Sequence, residues 1–212
     1  CDALSRIPHL GGLVSLVTLD VSSCGALVML APFAGLTKLQ TLNASRCAKL
    51  GSLPELGVLV SLVTLDVSFC DSLEALPTLA GLTKLKTLNT SNCAKLGSLP
   101  ELVGLSSLVT LDVSFCAKLT TIPSLKGLKE LRTLNASNCV KLCMLPDMGD
   151  CVSLVTIDLS VCISLSVLPP LKGLASLQTL SLQDCRGLSK PPDVRGLGAL
   201  KTLELRGCSG LT

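Results

Sequence analysis

The sequence predicts a solenoid of stacked coils with a parallel β-sheet, and three observations lead to that fold class. Ten of the 12 cysteines recur every 23 residues without an insertion, from Cys1 to Cys208. The spacing of apolar residues changes within each 23-residue stretch. The chain has no Trp, no Tyr and 3 Phe, so its core must be aliphatic. A fixed period of about 20–50 residues is typical of solenoids, in which no coil can bury its apolar residues alone.

Each coil is predicted to contain a strand, a turn at the cysteine and a stiff return segment. Leu65 and Val67 alternate with the period of two that a strand requires, whereas the flanking leucines recur every third residue, which suits tight turns or 3₁₀ segments. Pro77 stiffens the return path, because its ring fixes φ. We expect a single domain over residues 1–212, made of about nine coils (212/23), cut from a longer array and without a capping coil at either end.

The repeat LxxLxxLxLxxCxxLxxLPxLxx resembles a leucine-rich repeat (LRR), whose signature is L-x-x-L-x-L-x-x-N/C-x-L. The resemblance covers the whole chain. It implies an α/β fold in which a horseshoe carries a concave parallel β-sheet and a convex side of turns, 3₁₀ and extended segments. The segment from Ser68 to Pro77 is similar to the cysteine-type repeats of plant intracellular immune receptors. The resemblance therefore implies a module cut from a larger receptor or signalling protein.

Composition and motifs argue against several functions. With 18 basic and 15 acidic residues, the chain has no charge footprint for nucleic acid, and no apolar run reaches the length of about 18–20 residues that membrane insertion needs. The only histidine, His9, is expected at the surface, and no Ser–His or Cys–His pair or phosphate-binding Gly-rich loop can be built. We expect no enzyme activity and no cofactor.

The ten cysteines that recur every 23 residues form a ladder along the stacked coils. These ladder cysteines are expected to be buried, free thiols. A parallel ladder holds Cβ atoms about 4.8 Å apart, farther than the ~3.8 Å of a disulfide. Reduced thiols favour a cytoplasmic location. Cys151 replaces a leucine of its coil and should be buried, whereas Cys143 lies off the ladder and is the candidate for a reactive surface thiol. We expect no metal at the group Cys139, Cys143 and Cys151.

Three columns of polar residues are expected to face the concave surface, because strand side chains alternate. They consist of threonines (Thr18 to Thr202), of alternating Asp and Asn (such as Asp66, Asn89 and Asp112), and of serines (Ser22 to Ser160). Asn between two Asp separates the carboxylates by about 10 Å, and each amide could donate to both neighbours. The Asp/Asn column is either a stabilising ladder, a polar groove for a ligand, or a calcium strip.

Other positions alternate with the same two-coil period. Val63 and Val109 precede the threonine in the Asp-bearing coils, whereas Lys86 and Arg132 take that place in the coils between them. The true repeat is therefore a 46-residue pair. Residues 48–70 and 94–116 differ at three places only. Recent duplication accounts for this regularity more simply than selection for binding.

The residue before each ladder cysteine varies most and is expected to be exposed at the sheet edge. Phe69 and Phe115 stand there about 10 Å apart, either as an aromatic hot-spot pair or as shields for the turns of their own coils. A column of lysines just after the cysteine is interpreted as a solvated face. The candidate partner-binding residues on the concave face and rim are Phe69, Phe115, Arg46, Asn92, Asn138, Val161, Asp184, Lys86, Arg132, Asp66 and Asp112.

Two functions remain after this elimination. The first is a non-catalytic recognition module that binds a protein or peptide across the concave face and its rims, as in the ligand-sensing part of an immune-type receptor. The second is a structural or consensus-like scaffold that has no specific ligand. Leucines expected to be exposed at the coil ends, such as Leu13 and Leu211, also predict end-to-end self-association at high concentration.

Overall fold

The computed structural model describes residues 3–212, which form a parallel β-solenoid. One nine-stranded sheet runs in chain order, and each strand pairs in parallel with the next. The predicted solenoid with a parallel sheet is confirmed, but the helices that an α/β class would require are not found anywhere between residues 3 and 212. The strands are β1 (Thr18–Asp20), β2 (Thr41–Asn43), β3 (Thr64–Asp66), β4 (Thr87–Asn89), β5 (Thr110–Asp112), β6 (Thr133–Asn135), β7 (Thr156–Asp158), β8 (Thr179–Ser181) and β9 (Thr202–Glu204).

The 23-residue period fixes the register of the sheet. Thr64 pairs with Thr87, Leu65 with Leu88 and Asp66 with Asn89, and the same 23-residue register holds in every strand pair. The central leucine of β3 is fully buried, while the Thr and Asp on either side of it are half-buried. Since side chains alternate along a strand, the threonine and Asp/Asn columns share the outer face of the sheet.

The core is a continuous stack of leucines, with one cysteine from each coil. Leu65, Val67, Cys70 and Leu73 are each 0% exposed, and Phe33 is also buried. Outside the strands the backbone closes single i to i+3 turns, in which the N–H of Leu73 donates to the carbonyl of Cys70 at 3.0 Å. The expected 3₁₀ segments are isolated turns of this kind rather than 3₁₀ helices in the part of the chain that is described.

The serine column is less exposed than its expected place on the concave surface suggests, and four of its seven members are buried. Ser68, Ser91, Ser114 and Ser137 are between 4% and 7% exposed. Each serine belongs to the turn that ends its strand, in which Asp66 Oδ1 accepts the N–H of Ser68 at 2.9 Å. The hydroxyl of Ser114 also donates to Asp112 Oδ1 at 2.7 Å. The strand therefore stops after three residues, and serine hydroxyls pack against the Asp/Asn column of the sheet face.

The described part of the chain also fixes two further points. Cys1, the first residue of the predicted cysteine ladder, lies outside it, so the ladder is observed from Cys24 to Cys208. Between residues 3 and 212 there is no helix that could span a membrane.

Candidate functional site

Every residue directly before a described ladder cysteine has a left-handed backbone. We call this row the pre-cysteine column. The angle φ lies between 56° and 63° at its eight non-glycine members and is 75° at Gly207. No other non-glycine residue of the described chain has a positive φ. The members are Ser23, Arg46, Phe69, Asn92, Phe115, Asn138, Val161, Asp184 and Gly207.

This geometry follows from how each coil leaves its strand. The Asp/Asn side chain caps the turn, and the next residues must bend so that the cysteine points inward. In the coil that contains β3, the N–H of Phe69 donates to the carbonyl of Ser91 at 2.8 Å, and Cys70 directly after it is fully buried. The left-handed residue thus bonds the next coil through its N–H. Its backbone conformation also lets the cysteine after it place its side chain in the core.

The left-handed conformation suits some residues of the pre-cysteine column and strains others. Asn, Asp and Gly tolerate the left-handed region best, so Asn92, Asn138 and Asp184 meet a backbone requirement there. A side chain with a Cβ pays about 1–2 kcal/mol for this conformation, and a bulky or β-branched one is an outlier. Phe115 and Val161 therefore occupy places where the local backbone favours another residue.

The two phenylalanines are also exposed. Phe69 is 40% and Phe115 is 49% accessible to solvent, which matches the expected place at the sheet edge. The Arg46 guanidinium lies over the Phe69 ring, 4.6 Å from its centroid, and such an exposed cation–π contact stabilises by about 0.5–1 kcal/mol. Phe115 has Asn92 at the corresponding place in the preceding coil. Neither core packing nor backbone preference thus accounts for Phe115.

The candidate carboxylates are engaged within the sheet. Asp66 Oδ2 accepts from Asn89 Nδ2 at 3.2 Å, and Asp112 Oδ2 accepts from Asn135 Nδ2 at 3.1 Å. The idea that each amide donates to both neighbouring carboxylates is wrong for the described residues, because each Asn bonds the Asp of the preceding coil only. The Asp/Asn column is therefore a set of closed pairs within each 46-residue unit.

At the first of these pairs the carboxylate is stabilised in its charged form. Backbone and side-chain hydrogen bonds from Ser22, followed by the amide of Asn43, lower the pKa of Asp20 below its ordinary value. This bonding uses up acceptor sites that an external ligand would need.

Lys86 and Arg132 lie at the opposite end of the strands, and both are exposed. Neither takes part in the two ion pairs found between residues 3 and 212. Asp184 belongs to one of them, with its carboxylate 3.7 Å from the Arg186 guanidinium. The candidate residues thus lie at both ends of the strands. The aromatic pair, Phe69 and Phe115, lies beyond the carboxyl ends, and the basic pair, Lys86 and Arg132, lies at the amino ends.

The ladder thiols bind backbone carbonyls across coils. Cys70 Sγ donates to the carbonyl of Ala44 at 3.2 Å, and Cys116 Sγ donates to that of Thr90 at 3.2 Å. Loss of solvation on burial raises the pKa of the Cys70 thiol to about 12 and that of Cys116 to about 11. The cysteines of the described chain are unpaired. These thiols are hydrogen-bond donors that hold their protons at neutral pH.

Two cysteines lie off the ladder, at the places the sequence indicates. Cys151 is fully buried, and Cys143 is the one exposed cysteine among residues 3–212. Cys143 Sγ lies 3.4 Å from the carbonyl of Thr120. The reactivity of Cys143 stays a prediction.

Within residues 3–212 no three His, Cys, Asp or Glu side chains come together to hold a metal ion. His9 is exposed, at the surface position that the sequence predicts.

Comparison with known proteins returns no family. No family model matches the chain, and a search of curated proteins finds no significant match. The class that the fold defines is therefore the parallel β-solenoid.

The left-handed backbone of the pre-cysteine column is the feature that sequence reasoning missed. A signal for it existed, since Asn, Asp and Gly together fill four of its nine places. These are the residues enriched at positive φ. The presence of Phe, Arg and Val in the same column concealed the requirement, because they suggested a freely variable surface position.

Proposed function

We propose that the chain is a recognition module that binds a protein or peptide partner at the pre-cysteine edge of its sheet. The observation that carries the proposal is the exposure of Phe69 and Phe115 at strained left-handed positions. Aromatic side chains, Phe included, are enriched in the cores of protein interfaces relative to the rest of the surface. A residue that costs stability and stays in solvent is best explained by a partner that covers it.

The same proposal includes membership of the leucine-rich repeat family. The 23-residue apolar pattern and the nine in-register parallel strands support it. Membership would add the concave curvature of the sheet and a role as the ligand-sensing part of an immune-type receptor. The free thiols support a reducing, cytoplasmic environment. The proposed role is non-catalytic.

A selection for binding tests the proposal directly. A displayed library of random 12-residue peptides is selected on the immobilised wild-type protein, and enriched peptides are then titrated into the double variant Phe69→Asn/Phe115→Asn. We expect the affinity to fall by at least thirtyfold, which corresponds to about 2 kcal/mol. The same variant should unfold at a higher urea concentration, since Asn relieves the left-handed strain.

The matched control is Val103→Asn, which replaces an exposed apolar side chain that lies outside the pre-cysteine column. It should leave peptide affinity within about twofold of the wild type. If no peptide is enriched, or if enriched peptides bind the double variant as tightly as the wild type, the proposed recognition site is wrong.

The second candidate function is a structural scaffold without a ligand. It is favoured by the closed Asp–Asn pairs and by the absence of unsatisfied buried side-chain N or O atoms among residues 3–212. If the chain is a scaffold without a ligand, the selection should enrich no peptide at all.

A further inference from the structure

The exposed phenylalanines beside the sheet are two coils apart, whereas the lysines from Lys95 to Lys141 repeat every coil. The phenylalanines are Phe69 and Phe115, and Lys86 and Arg132 are also two coils apart. Adjacent parallel strands lie about 4.8 Å apart, so the two-coil repeat measures about 9.6 Å along the row of coils. A partner that lies along this row must present equivalent groups at that interval.

The interval discriminates between peptide conformations. An extended strand returns a side chain to the same face after two or four residues, about 6.6 or 13 Å. An α-helix returns after seven residues, about 10.5 Å, which exceeds the repeat by about 0.9 Å each time. A polyproline II helix returns after three residues, about 9.3 Å. Polyproline II is therefore the peptide conformation whose own period best matches the protein.

The chemistry of the rim points the same way. We define the rim as the residue before and the two residues after each ladder cysteine from Cys47 to Cys139. Proline rings pack on aromatic side chains, which is how proline-rich segments are recognised elsewhere. The rim offers two exposed phenylalanines for such contacts.

The rim is also basic. It carries five basic residues and one acidic residue, Asp71, all of them exposed. None of the five forms either of the two ion pairs of the described chain. Complementary charge favours an acidic partner and suppresses a basic one. The basic residues are Arg46, Lys49, Lys95, Lys118 and Lys141.

We propose that the partner is an acidic, proline-rich segment in polyproline II conformation that lies along the rim. A proline or other apolar residue at every third position packs on Phe69 and Phe115, and acidic residues between them face the lysines. This inference rests on the proposed recognition function. It adds the conformation and charge of the partner and its alignment along the rim.

Four fluorescein-labelled probes of 15 residues or nucleotides test it by fluorescence anisotropy. They are five repeats of Pro-Pro-Glu, five repeats of Pro-Pro-Lys, five repeats of Glu-Ala-Ala and oligo-dT. The Glu-Ala-Ala peptide keeps the number and spacing of the carboxylates but favours a helix. We expect saturable binding of the Pro-Pro-Glu peptide, and binding at least tenfold weaker for each of the other three.

Variants of the protein then locate the binding. Phe69→Asn/Phe115→Asn and Lys95→Glu/Lys118→Glu should each weaken the Pro-Pro-Glu peptide at least tenfold, and the lysine variant should also flatten the salt dependence. The control Lys129→Glu makes the same kind of charge change at an exposed site before β6 and should leave the affinity within about twofold.

The outcomes separate this inference from the proposed function. If library-selected peptides need Phe69 and Phe115 but the Pro-Pro-Glu peptide does not bind, or the Glu-Ala-Ala peptide binds equally well, recognition stands and the polyproline II partner is wrong. Tighter binding of the Pro-Pro-Lys peptide or of oligo-dT contradicts the acidic peptide partner. If neither the library nor any probe binds, both proposals fall.

Discussion

The ladder cysteines and the pre-cysteine column are adjacent in every coil, and the contrast between them is informative. The cysteine never varies, is buried from Cys47 to Cys185, and donates its S–H to a carbonyl of the preceding coil. The residue before it includes Arg, Phe, Asn, Val and Asp on the same left-handed backbone. One position is set by what the interior requires. At the other, several residues depart from what the backbone favours, and this departure marks the candidate site.

Among the tests of this contrast, alkaline pH should change the free energy of unfolding most, because it acts on the buried thiols. Burial raises the pKa of eight thiols, those of Cys47, Cys70, Cys93, Cys116, Cys139, Cys151, Cys162 and Cys185. Their unfolded-state pKa is about 8.5. Above that pH the unfolded chain releases protons that the folded chain retains, so the free energy of unfolding falls as pH rises.

Each thiol contributes up to about 1.4 kcal/mol per pH unit, so the free energy of unfolding should fall by at least about 5 kcal/mol between pH 9 and 10. Urea unfolding under reducing conditions at pH 7.5, 8.5, 9.5 and 10 measures the slope. A midpoint that stays constant from pH 7.5 to 10 would show that the ladder thiols are not protected by burial.

Replacing one ladder cysteine should have the next largest effect. Cys116→Ala removes the donor to the Thr90 carbonyl and leaves a small void in the core. We expect a loss of about 1–3 kcal/mol in the free energy of unfolding, measured by urea titration at pH 7. The control Cys143→Ala, at the exposed cysteine, should stay within about 0.5 kcal/mol of the wild type. Equal losses at the two sites would mean that the ladder contributes nothing special.

The smallest effect should have the opposite sign. Val161→Asn places a residue that tolerates the left-handed region where φ is 63°. We expect the free energy of unfolding to rise by about 1 kcal/mol, with Asn138→Val showing a loss of similar size one coil earlier. Urea titration measures both. If neither variant shifts the midpoint, the pre-cysteine column carries no strain, and the argument for Phe69 and Phe115 weakens with it.

The sequence was sufficient for the register and the core because these features repeat. The 23-residue interval predicts coils stacked in register, and the structure has Thr64 opposite Thr87 and the leucine of each strand inward. The burial of Cys151 and the exposure of Cys143 also followed from their places in the repeat. Repetition makes such features visible because each coil tests the same interpretation again.

Features set by backbone dihedrals were not recovered. Nothing in an alternating pattern reveals that Ser68 is buried beside Asp66, because its place follows from a side-chain cap and not from hydrophobicity. The strain at Phe115 was hidden for a related reason, since an exposed, variable position is ordinarily free to take any residue. The direction of the Asn89 amide also depends on side-chain geometry that the repeat pattern does not reveal.

The closed Asp–Asn pairs bear on how such a chain can lengthen over evolutionary time. Copying a 46-residue unit gives the new unit its own internal pair, as between Asp66 and Asn89, so every carboxylate keeps an amide beside it. Copying a single coil instead sets Asp against Asp across one strand spacing, where like charges repel. Tandem duplication in steps of two coils therefore keeps each Asp–Asn pair intact, whereas copying a single Asp-bearing coil does not.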